Sequence, residues 1–267
     1  MTLGDYQSNR VAVVSLSKDF DLALGIASDL LMNAAFPDDK VRQQIERRVA
    51  QIKSRLDVPR NLASDIFNEI VFRGSPQHRP TVGYEGTVSA LSRFDIDEFY
   101  RHYYLPNNTM LAIAGDVDTR EAIERVETAL GNWPRAAAFV PPLVPRPDLD
   151  ARPLVKYAAA PKEQLNIFIG HAGITRTDPD YHALLVMDTI LGSSPGFTSR
   201  IPRILRDEQG LAYSTFANIT SSAALDPGRF VAYIGTAPAN LQRALAGLRG
   251  KRNPQRVETG NRVESIS

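Results

Sequence analysis

An α+β fold in two successive parts is what this 267-residue sequence predicts, and three observations carry it. Apolar residues recur at helical spacing in stretches spread along the whole chain. Short β-prone runs stand between them without the strict strand–helix alternation of a parallel sheet. Residues 134–153, PRAAAFVPPLVPRPDLDARP, hold six of the 18 prolines, which exclude helix and central strand alike. The expected organisation is therefore a first part at residues 1–133, a stiff linker at 134–154, a second part at 155–249 and a polar tail at 250–267.

In chain order, the apolar stretch 11–16 predicts a strand, and Asp19 or Asp21 can cap a helix carrying Leu22, Leu24, Ile26 and Leu30. FPDD then opens a longer helix, in which Val41, Ile45, Val49, Ile52 and Leu56 recur at spacings of four, four, three and four. Pro59 starts a third helix that Gly74 stops, and FDIDEFYRHYY forms a fourth that Pro106 stops. Residues 110–114 predict a short buried strand. Asp118, with Glu121 three positions on, resembles a capping box before Ile123, Val126 and Leu130. Beyond the linker, EQLNIFIGHAGI predicts a strand, and DPDYHALLVMDTILG and FTSRIPRILRDEQG predict helices. LAYSTFANIT and GRFVAYIGTA follow as two strands, and ANLQRALAGLRG as a final helix. The tail has too few apolar residues to cover a core face and is expected to be disordered.

Thirty-one basic and 30 acidic residues leave a net charge of +1, which signals neither nucleic-acid attraction nor an acidic partner. The basic residues Arg42, Arg47, Arg48, Lys53 and Arg55 alternate with Asp38, Asp39, Glu46 and Asp57, the pattern of a solvated helix face. The absence of cysteine removes disulfides, thiolate catalysis and cysteine zinc sites together. No apolar run is long enough to span a bilayer, so membrane insertion is not expected, and no secretory signal opens the chain.

Three stretches together carry a family resemblance. FYRHYYLPNNTMLAIAGDVD, ILGSSPGFTSRIPRILRDEQGLAYS and LALGIASDLLMNAAFPDDKVRQQIERRVAQIK, in their order and spacing, resemble the pitrilysin/insulinase family of zinc metallopeptidases, which includes the mitochondrial processing peptidase. The resemblance runs from about residue 9 to about residue 249 and implies two metallopeptidase-like half-domains, each a mainly antiparallel sheet flanked by helices, both incomplete here. Members that hydrolyse peptides carry His-x-x-Glu-His, in which two zinc ligands flank a general base. This sequence has four histidines, His78, His102, His171 and His182, and no such motif. The position of the family's third ligand, a glutamate, falls on Gln51 or Lys53 according to the register, and neither is a carboxylate. The resemblance thus implies that this chain binds no cofactor, with zinc in a homologous partner subunit, and that it has no peptidase activity alone.

In the family, an arginine and a tyrosine seven residues apart bind substrate backbone and steady the tetrahedral oxyanion. Arg206 and Tyr213 match that spacing, with Gly210 between them, so the resemblance implies an extended peptide as substrate. The bland alternative is an arginine at helix-end carbonyls and a tyrosine with a wet hydroxyl. A scaffold or assembly subunit using the same fold is the competing function. Glu98 and His102, four apart on a predicted helix, suit a helix-face pair better than a metal site, and His171 and His182 lack motif spacing. GSSPG at 192–196 lacks the Gly-Lys-Ser/Thr of a phosphate loop and reads as a helix connector or a substrate-touching loop.

Overall fold

The computed structural model describes residues 2–4, 7–136, 138–147, 153–160, 163–193 and 199–249. The expected disorder of the tail lies outside the described residues. By its internal contacts the chain divides into two units, the first built from residues 1–57 and 79–144, the second from residues 58–78 and from 145 onward.

The first unit is helical apart from a small antiparallel ladder of β1 (Thr2–Gly4) and β2 (Asn9–Val11). Its helices are α1 (Phe20–Met32), α2 (Asp38–Leu56), the short α4 (Glu85–Ser89), α5 (Arg93–Tyr103) and α6 (Thr119–Leu130). The periodic residues of α2 do face inward, with Val41 and Ile52 buried, although Leu56 at the end is exposed. Asp19 occupies the N-cap of α1 without a side-chain bond to it, and Asp21 is instead taken by Arg125 of α6 at 2.6 Å. Asp118 caps α6 by accepting from the N–H groups of Arg120 and Glu121, but the box does not close, because the Glu121 carboxylate pairs with Arg125. The turn between α1 and α2 places Phe36 at φ 45°, a left-handed conformation disfavoured ahead of a proline. Tyr100 of α5 holds that turn: its ring meets Phe36 edge-on at 5.3 Å and its hydroxyl accepts from the Ala34 N–H.

Two expected strands are corrected. Residues 110–114 form no strand and are exposed, and of the stretch 11–16 only Val11 enters the ladder. Both sequences are β-prone, but a strand exists only where a second strand meets its backbone groups.

The second unit is a three-stranded antiparallel sheet in the order β3-β5-β4: β3 (Leu165–Ala172), β4 (Ser214–Asn218) and β5 (Arg229–Thr236). Its two faces are covered separately. On one, α9 (Leu241–Arg249) and the segment after α8 (Arg200–Pro202) bury Leu205, Leu211, Ile234 and Ala244. On the other, α3 (Pro59–Val71) and its C-cap Phe72 lay Phe67, Val71 and Phe72 on Val231, with Phe168 and Phe216 alongside. Alternation along β5 produces this division, since Val231 and Ile234 point to opposite faces. Tyr233 donates to Asn166 at 2.9 Å with the Arg60 guanidinium 4.4 Å from its ring centre. Burial pushes the phenol's pKa up, and Arg60 opposes that shift.

Candidate functional site

Two π-helical segments shape the surroundings of Arg206 and Tyr213. The first, Thr189–Ser193, continues from α7 (Tyr181–Asp188); the second, Arg203–Glu208, continues from α8. The second ends at a glycine turn in which Gly210 donates to the Arg206 carbonyl at 3.1 Å and Leu211 to the Leu205 carbonyl at 2.8 Å. The first bond is that of an ordinary αL glycine cap, while the second spans six residues, one more than the usual 6→1 closure, in keeping with the wider pitch before it. Gly210 closes it at φ 60°, a conformation that favours glycine.

Arg206 sits on the last turn of this segment, three-quarters buried, with its Nε donating to Asp207 at 2.7 Å. After the turn, Leu211 and Ala212 are buried, and the Thr236 hydroxyl donates to the Leu211 carbonyl at 2.6 Å. Tyr213 therefore emerges between anchored backbone and the first residue of β4, and it is 90% exposed. Its hydroxyl makes no hydrogen bond among the described residues. The two residues thus lie on either side of one hydrogen-bonded glycine turn, the arginine paired with a neighbouring carboxylate and the phenol exposed to solvent.

Asp188, which sequence reasoning passed over, fixes the opposite end of β4. Its carboxylate is 3% exposed and accepts from the N–H groups of Ile219 and Thr220 and from the Thr220 hydroxyl at 2.6–3.1 Å. Next to it, the Gly192 backbone lies so close to β4 that a Cβ would fall 2.2 Å from the Ala217 nitrogen, and the Ser193 hydroxyl donates to the Ala217 carbonyl. The residues of GSSPG after Ser193 lie outside the described residues. An aspartate inside the apolar run LLVMDTIL was the available signal.

The candidate ligand residues among the described residues do not come together as a zinc site. Among the described residues no three His, Cys, Asp or Glu side chains are grouped to hold a metal. Lys53 is paired with Glu85 of α4 at 2.8 Å, and Gln51 accepts from Arg48 at 3.2 Å. The His102 ring packs against Tyr103 and Phe139, that of His171 stacks on Phe230 at 5.3 Å, and that of His182 meets Tyr181 edge-on.

The family profile described as the peptidase M16 inactive domain matches residues 90–249, more than half of the sequence. The chain belongs to the peptidase M16 family. It is 30% identical over 234 residues to an uncharacterised zinc protease of Streptomyces coelicolor, a match covering 86% of this chain and 50% of the relative. It is 26% identical over 193 residues to a probable mitochondrial-processing peptidase subunit beta of Arabidopsis thaliana, covering 67% of this chain and 34% of that one. The chain thus spans about half the length of the first curated relatives it matches. Among solved structures, a Helicobacter pylori protease superposes with a TM-score of 0.78 at 18% identity, over 86% of this chain and 56% of its own. A peptidase M16 inactive domain from Pseudomonas fluorescens gives 0.76 at 20% identity, over 88% and 57%. The metallopeptidase-like α+β fold expected from the sequence is thereby borne out. Among the described residues, no helix is long and apolar enough to cross a membrane.

Proposed function

We propose that this M16 chain contributes substrate binding and oxyanion stabilisation, through Arg206 and Tyr213, to a zinc-bearing homologous subunit that cleaves extended peptides. The observation that carries the reading is the contrast between two places in the chain. At the one position where the resemblance puts the family's third zinc ligand, the side chain is Gln51 or Lys53 by register, and each already has a partner. At the glycine turn, a phenol with no hydrogen bond among the described residues stands exposed, seven positions after an arginine paired with Asp207.

The chemistry follows from the two side chains. A guanidinium offers planar donors that hold a peptide carbonyl without giving up a proton. A phenol hydroxyl donates to the same oxygen as negative charge grows on it, and this bond strengthens most in the transition state. Both residues act as donors throughout, and a zinc ion held by the homologous subunit would supply the bond-breaking chemistry. The backbone between the two residues is set by the Gly210 turn and by the bond from the Thr236 hydroxyl to the Leu211 carbonyl.

The test is reconstitution with a zinc-bearing homologous subunit, followed by Tyr213→Phe and Arg206→Ala. Tyr213→Phe removes one donor and is expected to lower kcat by about a hundredfold with subunit association unchanged. Arg206→Ala is expected to raise KM as well, since it also holds the ground-state substrate. Full cleavage by both variants would replace this reading with that of an assembly scaffold on the same fold.

A further inference from the structure

In the second unit, the turn that ends α3 forms a cleft of about 250 Å³, lined by Glu69, Ile70, Arg73, Gly74, His78 and Lys156. Its frame is built from backbone bonds. Gly74 turns the chain at φ 81°, the Ser75 N–H donates to the Phe72 carbonyl at 2.9 Å, and the His78 N–H donates to the Ser75 carbonyl at 3.1 Å. Ser75 itself is buried.

That frame decides what His78 can do. Its Nδ1 lies 2.6 Å from the Ser75 carbonyl oxygen, which can only accept, so Nδ1 carries the proton. In the neutral ring Nε2 is then the acceptor, and no other bond of the ring is made among the described residues. Lys156 is held by Glu69 at 3.3 Å. The Arg73 guanidinium makes neither a hydrogen bond nor an ion pair among the described residues.

The lining therefore offers one uncommitted cationic fork, a second cation balanced by a carboxylate, and one hydrogen-bond acceptor. A metal ion would meet two cations and only Glu69 and His78 as ligands. Inorganic phosphate would also satisfy the fork, and its P–OH could reach Nε2, but at neutral pH its second negative charge would lie in a cleft that already holds the Glu69 carboxylate. A peptide C-terminus matches both, because its carboxylate suits the Arg73 fork while its last amide N–H can donate to Nε2.

We infer that this cleft binds the free C-terminal carboxylate of a peptide, with Arg73 pairing the carboxylate and His78 Nε2 accepting the terminal N–H. Nothing in this requires cleavage, so it stands independently of the role given to Arg206 and Tyr213. The probes are an N-acetylated apolar tetrapeptide with a free carboxylate, its C-terminal amide, and inorganic phosphate, titrated into the full chain. Binding is read by calorimetry and by the imidazole nitrogen resonances of His78. The free acid is expected to bind and to move Nε2, the amide to bind at least about tenfold more weakly, and phosphate at equal concentration to displace little of the bound acid. Arg73→Gln, at an exposed position, is expected to abolish the preference for acid over amide. Arg206→Ala is expected to leave it intact. No binding of the acid, equal binding of acid and amide, competition by phosphate at equal concentration, retained preference in Arg73→Gln, or lost preference in Arg206→Ala would each overturn the assignment.

Discussion

At the scale of single residues, Asp188 joins parts of the chain about thirty positions apart. Three donors from Ile219 and Thr220 converge on its carboxylate in a place closed to water, so each would be left unpaired if the carboxylate were removed. A buried donor without a partner costs about 1–3 kcal/mol, and hydrogen bonds to a charged acceptor lie at the upper end. Asp188→Ala is therefore expected to destabilise the chain by about 3 kcal/mol, measured as a lowered midpoint of urea unfolding. A loss within 0.5 kcal/mol, the usual scatter of surface substitutions, would show that water or a rearranged turn takes over the role. The charge in an apolar run was legible in the sequence; its partners were not, because they are brought close only by the sheet.

At the scale of elements, the helices were legible and part of the sheet was not. The period of α2 and the proline and glycine stops of α3 act within a few residues, so local sequence suffices. The short α4 escaped, being a single turn whose Glu85 finds Lys53 thirty-two positions earlier. The strand expected at 110–114 failed because strand formation depends on a neighbour that local sequence does not name. The placement of Arg206 and Tyr213 across a glycine turn was legible, whereas the π-helical pitch before it, in a segment that buries Leu205 in the core, was not. Helix α5 allows a test of local control. The Ser92 hydroxyl and N–H both lie on the Asp95 carboxylate, at 2.6 and 2.8 Å, and hold its pKa below the ordinary carboxylate value. A depressed folded-state pKa means that this contribution is present above the unfolded value and is lost as pH falls through the folded one. Ser92→Ala is expected to raise the Asp95 titration midpoint toward the ordinary value, followed by its side-chain carbon resonance. The acid unfolding transition should then depend less on this residue. An unchanged midpoint would assign the shift to something other than the cap.

At the scale of the whole molecule, apolar residues are distributed unevenly between buried and exposed places. In the second unit β5 is covered on both faces, and Val231, Tyr233 and Ile234 are at most 2% exposed. In the first unit Val14 is 97% and Met110 95% exposed, and Leu22, Ile26 and Leu30 form a stripe on the outer side of α1. The backbone groups of residues 110–114 make no hydrogen bond among the described residues. An extended, β-prone run with free N–H and C=O groups is a template for pairing with another chain, and adjoining apolar surface adds to the gain. The chain is therefore expected to self-associate at about 50 µM, within the range where exposed strands aggregate. Met110→Lys combined with Ile113→Lys places two charges on this segment and is expected to shift the distribution toward monomer, since like charges disfavour edge pairing. Sedimentation velocity over a range of concentrations checks both expectations. A wild-type chain that stays monomeric throughout, or a double variant that associates as strongly as the wild type, would move the cause of association away from residues 110–114.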